Sequence, residues 1–157
     1  KTYLESECSA IPLYEHIKQV SFSIEDIRLI EWMGVRKGYP LLIKKMLQPY
    51  SIQERPFHCT DKKRLTFYVM ENTGWIRDHG QLLNLWIDEI KYRLIQCINQ
   101  WVKQQEQSVS EKATTYIRAV CMGDTLHDET LNKKRILQSV ATFVYLSKQD
   151  VESFLSA

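Results

Sequence analysis

The sequence predicts an α+β fold: a mostly α-helical domain with a small three-stranded antiparallel meander and one long central helix. Three observations point to it. Residues 56–59, 65–70 and 75–77 are rich in aromatic and β-branched side chains, and the polar runs Thr60-Asp61-Lys62-Lys63 and Glu71-Asn72-Thr73-Gly74 separate them as turns. From His79 to Gln105, Leu82, Leu83, Trp86, Ile90, Leu94, Cys97, Ile98 and Trp101 recur at three- and four-residue spacing, which places them on one broad helix face. The remaining segments carry a helical period between cap and breaker residues.

At 157 residues, the chain is long enough to bury roughly 70% of its unfolded surface without disulfides or metal. It divides into a flexible N-terminus (1–10) and a single globular domain (11–157). The domain comprises a helical subregion (11–50), the meander (51–78) and a second helical subregion (79–157). Pro12 to Gln19 opens with Leu13, His16, Ile17 and Val20 at helical spacing. Ser23 and Asp26 read as a capping box, with Ser23 as the N-cap. Ile27, Ile30 and Met33 follow, with Leu29 and Trp32 widening the apolar face, and Gly34 suits a helix end. Gly38-Tyr39-Pro40 restarts the chain, with Pro40 in a first turn. Leu41, Leu42, Met46 and Leu47 supply the buried side before Pro49.

In the meander, Leu65, Phe67 and Val69 alternate with Thr66, Tyr68 and Met70, so one face packs on helices and the other is partly exposed. Asp78 is the expected N-cap of the long helix. Ser108 and Glu111 read as a further capping box, for a helix carrying Ala113, Tyr116, Ile117, Val120 and Cys121 and closed by Gly123. Residues 123–129 read as a polar loop. A helix with Leu131, Ile136, Leu137 and Val140 follows, then the short apolar run 143–146. Ser147 to Asp150 reads as a last capping box, starting a terminal turn through Phe154.

Composition narrows the function. The formal net charge of +2 is too small to mark a nucleic-acid binder, so any basic footprint must come from clustering. Cys8, Cys59, Cys97 and Cys121 are isolated, which suits free thiols in a reducing, intracellular compartment. No segment approaches the ~20 apolar residues that span a bilayer, and no signal peptide is visible, so no membrane contact is expected. The chain lacks a phosphate-binding glycine loop, a nucleophile elbow and an H-E-x-x-H motif. No cofactor and no metal site is expected: adjacent strand residues such as His58 and Cys59 point to opposite faces and do not share an ion. Cys59 lacks a marked base or oxyanion hole. A metal-dependent nuclease would need clustered carboxylates, and turn or cap chemistry accounts for Asp61 and Asp78. No catalytic residue is assigned.

The chemistry-bearing cluster that remains is Lys62, Lys63 and Arg64 at the first hairpin turn, with Arg55 and Arg77 flanking. Lysines at a hairpin tip commonly serve only to block edge pairing. As a functional set, these five form a small phosphate-contacting platform, with Tyr68 or Trp75 available to stack on a base. Arg55 has an internal alternative, pairing with Asp61 or Asp78. His58, Asp61, Tyr68, Trp75 and Asp78 read as the residues that hold the meander in shape. The long helix spans about 40 Å, more than a small domain needs to cover, so its Trp101 end is a candidate seam for a homo-oligomer.

The run Arg55-Pro56-Phe57-His58-Cys59-Thr60-Asp61-Lys62-Lys63-Arg64, then Phe67-Tyr68-Val69, then Gly74-Trp75-Ile76-Arg77-Asp78, resembles a C-terminal domain in proteins of large nucleocytoplasmic DNA viruses. Those proteins share an R/K-P-[hydrophobic]-H-C-T-D-x-K-R pattern and a W-x-x-D before a long helix, and the resemblance covers residues 40–150. In many of them the domain follows a zinc-finger-like segment; this chain has no C-x-x-C, so such a finger lies outside it or is absent. The resemblance implies a viral protein in a host cytoplasm, nucleus or virus factory, or packaged in a virion, with other viral proteins and DNA as partners. It supplies no catalytic residues. The expected function is a non-enzymatic viral module that binds nucleic acid or supports a nucleic-acid-associated complex. A structural or oligomerisation module of a virion or viral assembly, or a metal-dependent nuclease, are the alternatives.

Overall fold

The computed structural model describes residues 8–147. Within them the chain forms α1 (Leu13–Lys18), α2 (Ile24–Met33), α3 (Val35–Leu47), a 3-10 turn (Ile52–Glu54), β1 (Phe57–Asp61), β2 (Thr66–Glu71), β3 (Gly74–Asp78), α4 (Gln81–Lys103), α5 (Ser110–Val120) and α6 (Leu126–Phe143). The fold is the helix-dominated α+β domain that the patterning predicts. Residues 148–150 of the last capping box and the terminal turn lie outside the described residues, as does most of the N-terminal segment. Cys8 is described, and it is buried against Leu146, so packing reaches back past residue 10.

The strands form one antiparallel sheet in the order β1-β2-β3. Phe57 pairs with Val69 and Cys59 with Phe67, so these four apolar side chains share one face, and all are buried. Phe57 meets the Trp86 ring of α4 edge to face, with centroids 5.3 Å apart. The other face carries His58, Tyr68 and Trp75 under a smaller apolar cluster built from Cys8, Ile52 and Leu146. Beyond α6 the chain returns to the β1 edge: Cys59 N donates to the Val144 carbonyl at 2.9 Å, and Leu146 N donates to the Cys59 carbonyl at 2.9 Å. This one-residue parallel bridge at Tyr145 covers the β1 edge.

Helix α4 is the central post. Leu83, Trp86, Ile87, Ile90, Leu94 and Ile98 are all buried along it. Helix α5 packs on its C-terminal half and α2 and α1 pack beside it, while α3 lies against α2 and α6. Trp101 meets Tyr116 of α5 at 5.3 Å and stays half-buried, so α5 packs on the helix end that its length marked as a candidate seam.

Other expectations need correction. Trp32 is 83% exposed rather than part of the α2 face; it lies roughly half a turn of the helix from Ile30. Gly34 does end α2, but with φ +80° and ψ 162° it also starts α3 at once. Pro40 therefore sits inside α3, not in a first turn, and Leu41 is exposed while Ile43 is buried. Gly38, also inside α3, is where α2 and α3 cross: a Cβ there would lie 2.8 Å from the Ile30 Cα. Helix α5 starts at Ser110 with Val109 at its N-cap, so Ser108 and Glu111 form no capping box. Helix α6 begins at Leu126, capped by the Thr125 hydroxyl, which accepts from Asp128 N at 3.1 Å; most of the expected 123–129 loop is helix.

Candidate functional site

The five residues expected to hold the meander stand in different surroundings. Asp78 is buried, and its carboxylate accepts from Leu82 N at 3.0 Å and Leu83 N at 3.2 Å. It thus caps α4 from two residues ahead of the geometric N-cap, Gly80. Asp61 accepts from Arg64 N at 3.1 Å and closes the first hairpin turn. His58 is 1% exposed and lies 5.7 Å from the Trp75 ring. Its Nε2 is buried with no hydrogen-bond partner. Burial, assisted by the nearby Arg55 charge, depresses the His58 pKa to about 4, and a hydrogen bond with the Ile52 carbonyl opposes the shift. Tyr68 and Trp75 are half-buried in the smaller cluster, which removes them as a free stacking surface.

The basic residues divide into separate groups. Lys62, Lys63 and Arg64 are exposed on the β1–β2 turn. Lys62 Nζ lies 4.7 Å over the Tyr145 ring. Arg64 has only a 4.0 Å contact with Asp61 and a side chain 86% exposed, and such a pair contributes little. Arg55 precedes β1 at the opposite end of the strand, about 20 Å from that turn at 3.3–3.4 Å per residue. It pairs with neither Asp61 nor Asp78 among the described residues; its guanidinium stacks on Phe143 at 4.6 Å, and its Nε is buried without a partner. Arg77 is exposed on β3, in register with Tyr68. The five-residue platform is therefore a three-residue tip, with Arg55 excluded and Arg77 set apart on the outer strand.

The carboxylates are dispersed as well. Glu71 lies at the far end of β2 from the Asp61 turn, about 17 Å along the strand, and Asp78 is engaged as a cap. Among the described residues no three His, Cys, Asp or Glu side chains gather as metal ligands. Cys59 and His58 face opposite sides of the sheet, and burial pushes the Cys59 thiol up, away from the thiolate a nucleophile requires. Among the same residues, no helix is long and apolar enough to cross a membrane.

Sequence reading missed a groove between α3 and α6. It encloses about 550 Å³ and is lined by Met33, Pro40, Leu41 and Phe143 together with Arg36, Lys37 and Lys44. No single segment displays it, because its walls come from helices far apart in the chain; the signal available was the basic pair Arg36-Lys37, one turn from Pro40-Leu41.

No family model, curated protein or solved structure matches this chain.

Proposed function

We propose that this protein is a non-enzymatic module that contacts nucleic-acid phosphates through Lys62, Lys63 and Arg64, in an intracellular, viral setting. One observation supports the reading: three consecutive exposed cations sit on one hairpin turn, and Asp61, the one carboxylate in ion-pair contact with them among the described residues, already serves to close that turn. The turn joins two paired strands of the sheet, and Lys62 Nζ lies over the Tyr145 ring. A small net charge is compatible with such a tip, because phosphate attraction depends on local clustering. The viral setting rests on the motif resemblance alone.

Titration of a fluorescent DNA duplex at several salt concentrations tests the reading. Engagement of the three cations gives a log-log salt slope of about −3. Lys62→Glu, Lys63→Glu and Arg64→Glu together remove binding with the fold intact. Binding unchanged by that triple reversal would remove the tip as the contact.

A second reading, a structural or oligomerisation module, is favoured by a different surface. Leu85 and Tyr92 of α4 are 58% and 57% exposed, and seven residues apart they lie on one side of the helix. Self-association through this stripe, rather than through the Trp101 end, is lost on Leu85→Glu with Tyr92→Glu, as read by sedimentation velocity. A monomeric wild-type protein at high concentration rejects it.

A further inference from the structure

We propose that the groove between α3 and α6 is a docking site for an acidic peptide segment that inserts an apolar side chain. Charge complementarity carries the choice of occupant. Arg36, Lys37 and Lys44 stand along the groove, and no carboxylate lines it. Among the described residues none of the three makes an ion pair, although cations elsewhere on the helices do: Lys18 with Glu15, Arg28 with Glu25, Arg93 with Glu89 and Lys112 with Glu31. Lys45, next to Lys44, pairs with Asp26 at 3.0 Å. Arg36 is held in place through a neutral partner, the Asn132 side-chain oxygen at 2.7 Å, so its charge stays uncompensated. Arg55, outside the lining, stacks on the ring of Phe143, which lines the groove.

The floor is apolar. Ile43 and Val140 lie buried beneath it, Met33, Pro40 and Phe143 flank them and Leu41 stands exposed at its mouth; about 550 Å³ is enough for one or two large side chains. A phosphodiester backbone gains from the cations but makes no use of an apolar floor. A stacked base is disfavoured because Arg55 already lies over the Phe143 ring and Lys44 Nζ lies 5.4 Å from its centre. A peptide with two or three Asp or Glu residues around a Leu or Phe satisfies both halves of the site. Basic rims that steer and apolar pockets that anchor divide the work of peptide recognition in this way. The groove is separate from the Lys62–Arg64 tip, so the two sites stand or fall independently.

The test uses the full chain and a fluorescein-labelled acidic peptide bearing Leu and Phe one helical turn apart, read by anisotropy at low salt. Three comparison probes run beside it: the same peptide with Leu and Phe replaced by Ser, the same peptide with its acids replaced by amides, and an oligothymidylate of equal charge. The acidic, anchored peptide binds, and each altered peptide binds at least roughly tenfold more weakly. Lys37→Glu with Lys44→Glu weakens the parent peptide by a similar factor, and Leu41→Glu, which removes an apolar contact at the exposed mouth of the groove and repels the acids, does the same; circular dichroism confirms that both variants fold. Failure of the parent peptide to bind would overturn the proposal, as would binding indifferent to both variants. Oligothymidylate binding that equals the peptide's and falls in the same variants would reassign the groove to nucleic acid.

Discussion

Lowering the pH from 7.5 to 5.0 is expected to remove about 2 kcal/mol of folding stability through His58 alone. Its folded pKa is about 4, against 6.5 for the ordinary side chain. The unfolded chain therefore takes up a proton below about pH 6.5 that the folded chain refuses until about pH 4. Stability from the buried neutral ring is fully present above the unfolded value and is lost as pH falls through this window. The full shift corresponds to about 3 kcal/mol at 1.36 kcal/mol per unit, a substantial part of the 5–15 kcal/mol typical of a domain. The physical cause is direct: protonation would place a charge on a ring that is 1% exposed, beside Trp75, with Nε2 unpartnered and the Arg55 charge nearby. The assay is urea unfolding of the wild type and of His58→Asn at a series of pH values. Asn retains a donor near the position of the ring nitrogen that bonds the Ile52 carbonyl and does not titrate. The difference in unfolding free energy between the two should shrink by about 2 kcal/mol over that range. His16, also buried and also depressed by burial, contributes equally to both proteins and cancels. Parallel losses in wild type and variant would refute the reasoning.

Three further outcomes are expected. Gly38→Ala drives a methyl group to within 2.8 Å of the Ile30 Cα, so α2 and α3 must separate; a loss of about 1–3 kcal/mol in urea unfolding measures the cost. Asp78→Ala removes the acceptor for both Leu82 N and Leu83 N and should cost about 1–2 kcal/mol, read by the same transition, with Asp78→Asn recovering part of the loss. Trp32→Ala should change stability by no more than about 0.5 kcal/mol, while Trp86→Ala, in the core, costs about 3–5 kcal/mol; acrylamide quenching of the single-tryptophan fluorescence contributions distinguishes the exposed ring from the buried one.

The meander was legible because its signal is local. A two-residue alternation across Leu65–Met70, bounded by polar turns, specifies both strand type and buried face, and Phe67 and Val69 are where that alternation puts them. The long α4 stripe was legible for the same reason. Elements were misplaced where two rules compete over few residues. Pro40 reads as a helix start, yet α3 begins at Val35 because Gly34 turns the chain without a linker and Gly38 lets the helices cross closely. Trp32 reads as core because it widens the apolar face of Ile27, Ile30 and Met33, yet the side of α2 that Ile27 and Ile30 bury leaves it outside. The basic tip was visible as a run, but the position of Arg55 was not, since its partner Phe143 lies in α6 and no local spacing announces that contact. The α3–α6 groove belongs to the same category of features that exist only after the helices meet.

The bridge between β1 and the segment after α6 has a consequence for synthesis of the protein. Cys59 offers its amide and carbonyl to Val144 and Leu146, so among the described residues the segment that covers the β1 edge is the last to be made. While a ribosome is still building α4, α5 and α6, a nascent hairpin with Phe57, Cys59, Phe67 and Val69 on one face has an open strand beside it, the kind of edge that recruits other chains. Covering that edge is therefore a late step, completed when residues 144–146 reach Cys59.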